Sequence, residues 1–196
     1  MNGRGKIVWA TAIAAALVVV PSFVPWPHRL LWNASASVPI GLYLLRPVNN
    51  VAVGDLVAVQ PPSELSDFLD ERGYLPRHVP LLKHVMALPG AIICRAGDTI
   101  IVDQSIVGFA HLLDSLGRGL PRWGGCRRLT NGEVFLMNPE APDSLDGRYF
   151  GALPSTAITG RLVPVWVHSG SAHGGIMTAN LPNHRNRKES FHAPDR

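Results

Sequence analysis

Apolar and polar positions along this chain fall into two regimes. From residue 7 to residue 24 no charged side chain occurs, and the run follows a start that carries Arg4 and Lys6 and no acid. At about 1.5 Å per residue such a run is about 27 Å long as a helix, enough to cross a thin hydrocarbon core. It has no polar face, which argues against a helix packed on a soluble domain. The expectation is a transmembrane anchor over 7–26, behind a cytoplasmic basic segment over 1–6. Trp26, Pro27, His28, Arg29 and Trp32 would then form an interfacial collar on the far side. A cleavable secretory signal shares these features and is the competing reading, although 21–27 offers no clear small-x-small site. Either reading exports the remainder of the chain.

Beyond residue 27 the pattern changes to short apolar runs separated by turn residues. The runs over 42–45, 56–59, 81–87, 92–95, 99–102, 133–137 and 162–167 read as strands. Their punctuation is Asn49-Asn50, Pro61-Pro62, Pro89-Gly90, Gly97-Asp98, Asn131-Gly132 and Gly160. One exposed helix is predicted over 63–72, capped by Ser63 and ended by Gly73. The fold class is therefore mainly β, one domain over 27–167 with one short surface helix. From 168 to 196 small and polar residues dominate, and a disordered tail is expected.

Composition changes this picture little. With 196 residues, 46% hydrophobic and 16% charged, the chain can bury one core and does not call for two large domains. The net charge of +4 is spread along the chain, so no nucleic-acid partner is expected, and Arg185, Arg187 and Lys188 read as a solvated tail. His168 and His173 have no Cys or acidic partner at ligand spacing, so neither a metal nor another cofactor is expected.

The chemistry lies in two short stretches. Ser37, in Asn33-Ala34-Ser35-Ala36-Ser37-Val38-Pro39, is read as a hydroxyl on a short strand that stops at Pro39. A serine becomes a nucleophile only beside a base. Lys83, in Pro80-Leu81-Leu82-Lys83-His84-Val85-Met86, sets one amine among apolar residues. Burial lowers a lysine's pKa and lets it act as a neutral base, so a Ser-Lys dyad is possible. His84 offers a Ser-His alternative, but it points opposite to Lys83 on the same strand.

Four blocks in this order resemble the type I signal peptidases of family S26. Ser35 to Pro39 resembles their nucleophile box, 54–59 the strand after it, and 83–90 the lysine box. Asp143-Ser144-Leu145-Asp146-Gly147-Arg148-Tyr149-Phe150-Gly151 resembles the closing box. Pro39-Ile40-Gly41-Leu42-Tyr43 and Glu71-Arg72-Gly73-Tyr74-Leu75-Pro76 are more similar to the conjugative-transfer (TraF-type) branch. The resemblance implies a signal-peptidase-like catalytic domain in which Ser37 attacks, Lys83 is the base and Ser35 helps hold the oxyanion. It implies further that Ser144 hydrogen-bonds the lysine, and that Asp146 and Arg148 pair to brace it; two apart, they would share a face of an extended strand.

The implied partners are a pilin-like precursor as substrate, the lipid bilayer, and components of a conjugation or type IV secretion apparatus. The implied place is the bacterial inner membrane, crossed once, with the catalytic domain in the periplasm. Outside the cytoplasm the two cysteines, Cys94 and Cys126, can form one disulfide; two buried free thiols are the alternative. Departures from the housekeeping pattern are His84, Ala91 and Gly147, none of which removes a proposed catalytic group. Two other functions stay open: a non-catalytic periplasmic scaffold of a transfer or secretion apparatus, and a secreted β-rich binding protein.

Overall fold

The computed structural model describes residues 3–23 and 30–168. The expected tail, Trp26 to Arg29 of the collar, and His173 lie outside the described residues. In chain order the elements are α1 (Gly3–Phe23), β1 (Leu30–Asn33), β2 (Gly41–Arg46), β3 (Leu56–Val59), α2 (Ser63–Glu71), β4 (Leu81–Ala87), β5 (Ile92–Ala96) and β6 (Thr99–Val102). They continue with β7 (Ser105–Phe109), β8 (Gly125–Arg128), β9 (Glu133–Met137), the single turn α3 (Gly147–Phe150), β10 (Leu153–Pro154) and β11 (Ile158–Val167). The mainly β architecture is as expected.

The helix α1 forms, but among the described residues no helix is long and apolar enough to cross a membrane. The spanning anchor expected over 7–26 is therefore not found among the described residues.

The strands form two antiparallel sheets. Seven are ordered β1-β2-β11-β3-β4-β9-β10, and four are ordered β7-β6-β5-β8. Alternation along β3 and β4 feeds two cores on opposite faces of the larger sheet. Val57, Val59, Leu81 and Val85 join Leu69 of α2 on one face, and Ala58 and Leu82 join Val38, Tyr43 and Leu162 on the other. A third core, with Ile93, Ile100, Phe135, Met137 and Tyr149, joins the smaller sheet to β9. Each such side chain contributes about 1.5–3 kcal/mol on burial. Lys83 stands in the row Leu81, Lys83, Val85 of β4, on the face that α2 covers.

Two local differences from the sequence reading have simple causes. Ser63 is the first helical residue rather than the cap of α2; Pro62 occupies the cap position, and its carbonyl accepts from Ser66 N–H at 2.8 Å. Gly73 does end the helix, at φ +70°, a left-handed conformation that glycine adopts without strain. Ser35 and Ser37 do not lie on a strand: β1 ends at Asn33, and the serines ride a turn that leads to β2.

That turn is closed by tight packing. Asn33 pairs with Gly41 across β1 and β2, and Gly41 pairs with Val167 of β11. A Cβ on Gly41 would lie 2.2 Å from the Trp166 carbonyl oxygen, a backbone atom that cannot swing away. Gly41→Ala is therefore expected to destabilise the fold by about 1–3 kcal/mol, as overpacking does. Urea unfolding of the two proteins measures the difference.

Candidate active site

The turn after β1, the strand β4 and the segment between β9 and α3 meet at a cleft of about 540 Å³. Ser35, Ser37, Lys83 and Ser144 line it, together with apolar walls from Leu69, Leu75, Leu81 and Leu145. Four of the side chains singled out in the sequence thus converge, although two of them are 61 residues apart. Asp146 and Arg148 do not line the cleft and stand behind it. Cys94 and Cys126 are opposite each other on β5 and β8, in the smaller sheet, and their sulfurs are bonded.

The Lys83 side chain is 4% exposed. Its Nζ donates to Ser144 Oγ at 2.6 Å, and its amine is pulled down to a pKa of about 8. Burial is the first cause, because it penalises the charged form. The Asp146 carboxylate opposes that shift, and the Arg148 guanidinium assists it. Ser37 Oγ lies 3.0 Å from Ser35 Oγ. Among the described residues no hydrogen bond joins Ser37 to Lys83; they share the cleft, each bonded to another serine.

Arg148 organises the segment that carries Ser144. Only 1% exposed, it holds Asp146 with two parallel bonds, Nε to Oδ1 and Nη2 to Oδ2, both 2.9 Å. Its remaining donors reach the carbonyls of Asn138, Ala141, Pro142 and Ser144 at 2.6–3.3 Å. A guanidinium's planar fork suits such a cradle. Asp146 is not on a strand, as the spacing had suggested, but caps the turn α3 by accepting from Arg148 N–H at 3.1 Å, while its other oxygen accepts from Asn138 N–H at 3.0 Å. Removing one partner of so buried a pair costs about 3–5 kcal/mol.

His84 faces away from the cleft. Its backbone N–H and its Nδ1 both meet Asn138 Oδ1, at 3.2 and 3.0 Å, which leaves Lys83 as the basic side chain of β4 at the cleft. Two residues that matter to the geometry escaped the sequence reading. Asn138 ties β4 to the end of β9 through Leu82 O at 2.9 Å, and Asn33, 5% exposed, binds the serine turn from within. Each is a lone amide at the end of an apolar run, Leu30-Leu31-Trp32-Asn33 and Phe135-Leu136-Met137-Asn138, and that placement was the available signal.

The family model for signal peptidase, peptidase S26, matches residues 4–167. The chain belongs to that family. Among similar proteins, the conjugal transfer protein TraF of Agrobacterium fabrum is 37% identical over 150 residues, which cover 68% of this chain and 80% of that one. The conjugal transfer protein TraF of Agrobacterium tumefaciens is 32% identical over 174 residues, covering 83% and 92%. A plasmid transfer protein TraF of Escherichia coli is 32% identical over 144 residues, covering 68% and 80%. A solved signal peptidase I from Enterococcus faecalis V583 aligns over 60% of this chain and all of its own, at 17% identity and a TM-score of 0.37.

Burial of Lys83 has a consequence for stability. In the unfolded chain this amine titrates near 10.5, and in the fold near 8. Between those values the unfolded chain holds more protons, so raising the pH through that window stabilises the wild type. Below pH 8 the burial penalty is present in full. Lys83→Met removes it, a gain of about 3 kcal/mol at pH 7, less about 1 kcal/mol for the lost Ser144 bond. The expected result is a higher melting temperature for Lys83→Met at pH 7 and a smaller difference at pH 10.

Proposed function

We propose that this S26 protein is a serine endopeptidase that cleaves an exported precursor by a Ser37–Lys83 dyad, and that it serves conjugative transfer. The observation that carries the reading is the Lys83 amine: it is buried, it titrates near pH 8, and it opens on the same cleft as Ser37. Near neutral pH about a tenth of such an amine is free base, against about one part in a few thousand for a solvated lysine.

In this reading Ser37 Oγ turns from Ser35 to Lys83 when a peptide enters the cleft. It attacks the scissile carbonyl while Nζ takes its proton. Donors aimed at the developing oxyanion contribute most of the rate, and the Ser37 N–H and Ser35 hydroxyl are the groups suited to it. The protonated lysine then supplies the proton that the leaving amine needs, and water or a second amine resolves the acyl-enzyme. Ser144 holds Nζ in place throughout, and the Asp146–Arg148 cradle holds Ser144. The apolar walls of the cleft suit the small or apolar side chains of a precursor's cleavage region.

The conjugal and plasmid transfer names of the TraF relatives support a role in conjugation, with a pilin-like precursor as substrate and secretion components as partners. A place outside the cytoplasm, at the membrane surface, has two supports. The first is the Cys94–Cys126 disulfide. The second is apolar surface at the start of the chain: Trp9, Ile13 and Leu17 of α1 are exposed, and Trp32 and Trp166, 58% and 55% exposed, stack at 5.9 Å on the strands β1 and β11. Stacked exposed tryptophans suit the headgroup depth of a bilayer.

Ser37→Ala and Lys83→Ala are each expected to abolish precursor cleavage while the domain stays folded. Wild-type kcat should rise about tenfold per pH unit below 8 and level off above it. Retained activity in either variant, or an optimum limited near pH 6, would defeat the dyad. Membrane placement has its own test. Fractionated cells should hold the full chain with the membranes, and Trp32→Ser/Trp166→Ser should release a larger share; a full chain found in the soluble fraction contradicts it.

A further inference from the structure

The turn that carries the two serines is built around one side chain. Asn33 Nδ2 donates to the carbonyls of Ser35, Val38 and Pro39 at 2.8, 3.0 and 3.1 Å. Its Oδ1 accepts from the Ser35 N–H at 3.1 Å and lies 2.9 Å from Ser35 Oγ. Three carbonyls on one side and an N–H on the other determine which end of the amide is oxygen; the reverse orientation would oppose acceptor to acceptor three times.

That orientation sets the direction of the next bond. An amide oxygen carries no proton, so in the Asn33 contact the Ser35 hydroxyl is the donor. Its single proton is then committed, and in the 3.0 Å contact with Ser37 it can only accept. The Ser37 proton therefore points at Ser35 Oγ, and Lys83 Nζ is meanwhile occupied with Ser144.

We infer that Asn33 is a positioning residue that polarises the Ser35–Ser37 pair: it keeps the nucleophile's proton off the lysine in the free protein and hands the Ser35 hydroxyl to the substrate when a carbonyl arrives. This rests on the dyad reading above. As the Ser37 Oγ–carbon bond forms, the Ser37 proton passes to Nζ and the carbonyl π pair moves onto oxygen. The Ser35 hydroxyl, losing no proton, swings from Asn33 Oδ1 to that oxygen. Asn33 Oδ1 is not orphaned by the swing, because the Ser35 N–H still donates to it. The reversal costs one hydrogen bond and makes a stronger, charge-assisted one.

Its partner in the sequence of events is thus Ser35, and a double-mutant cycle separates this role from mere support of the turn. The proteins are wild type, Asn33→Ala, Ser35→Ala and the double variant, assayed for kcat and KM on a precursor peptide, with circular dichroism confirming the fold. Ser35→Ala is expected to lower kcat about 100-fold, the loss of one oxyanion donor. Asn33→Ala is expected to lower kcat about tenfold in the wild-type background, with KM nearly unchanged, and to have almost no effect once Ser35 is alanine. Losses that multiply, or a loss confined to KM, overturn the assignment. Should Asn33→Ala fail to fold, Asn33→Gln keeps an amide with both an acceptor for the Ser35 hydroxyl and donors for the turn carbonyls. A kcat above that of Ser35→Ala then supports the role, and one at or below it overturns it. Activity surviving in Ser37→Ala or Lys83→Ala would instead remove the dyad reading itself.

Discussion

Taking one amine out of water is the act on which the rest of this structure depends. Lys83 occupies a position in β4 that its neighbours Leu81 and Val85 fill with apolar side chains, and α2 closes over that face. A charge there is costly, and the fold answers by bringing the amine's pKa down rather than by giving it a carboxylate in contact. The direct partner is the neutral hydroxyl of Ser144. A carboxylate at that distance would have returned the lysine to its charged form.

Around this amine the protein separates charge from chemistry. Asp146 and Arg148 are as buried as Lys83, but they satisfy each other and a set of backbone carbonyls, and they face the cleft only through the segment they hold. Their fields act on Lys83 in opposite directions, so what remains is mostly the effect of burial. On the other wall of the cleft a buried polar anchor again stands behind hydroxyls, with Asn33 in the place that Arg148 takes behind Ser144.

The strands that hold Lys83 and the larger cores were legible because their residues obey one periodicity. The runs over 56–59, 81–87, 99–102 and 133–137 stand in the structure with the bounds their patterns indicate. β7 and β8 were not legible. Ser105–Phe109 and Gly125–Arg128 are largely exposed strands at the edges of the smaller sheet, so no buried alternation marks them. β1 was hidden for a different reason, since Trp32 read equally well as part of an interfacial collar. In the site, serines and lysine could be named from their motifs, whereas the turn at Asn33 and the helical cap at Asp146 depend on side-chain bonds to backbone that no spacing rule reports.

The protonation state of Lys83 decides between a base and a spectator, and it can be observed without substrate. Lysines labelled with carbon-13 at Cε give one resonance each, and comparison with Lys83→Met assigns the one that matters. Its titration is predicted to centre near pH 8 in the folded protein and to return to about 10.5 in denaturant. A folded-state midpoint at 10 or above would contradict a Lys83 base, because the amine would then be charged at every pH near neutral.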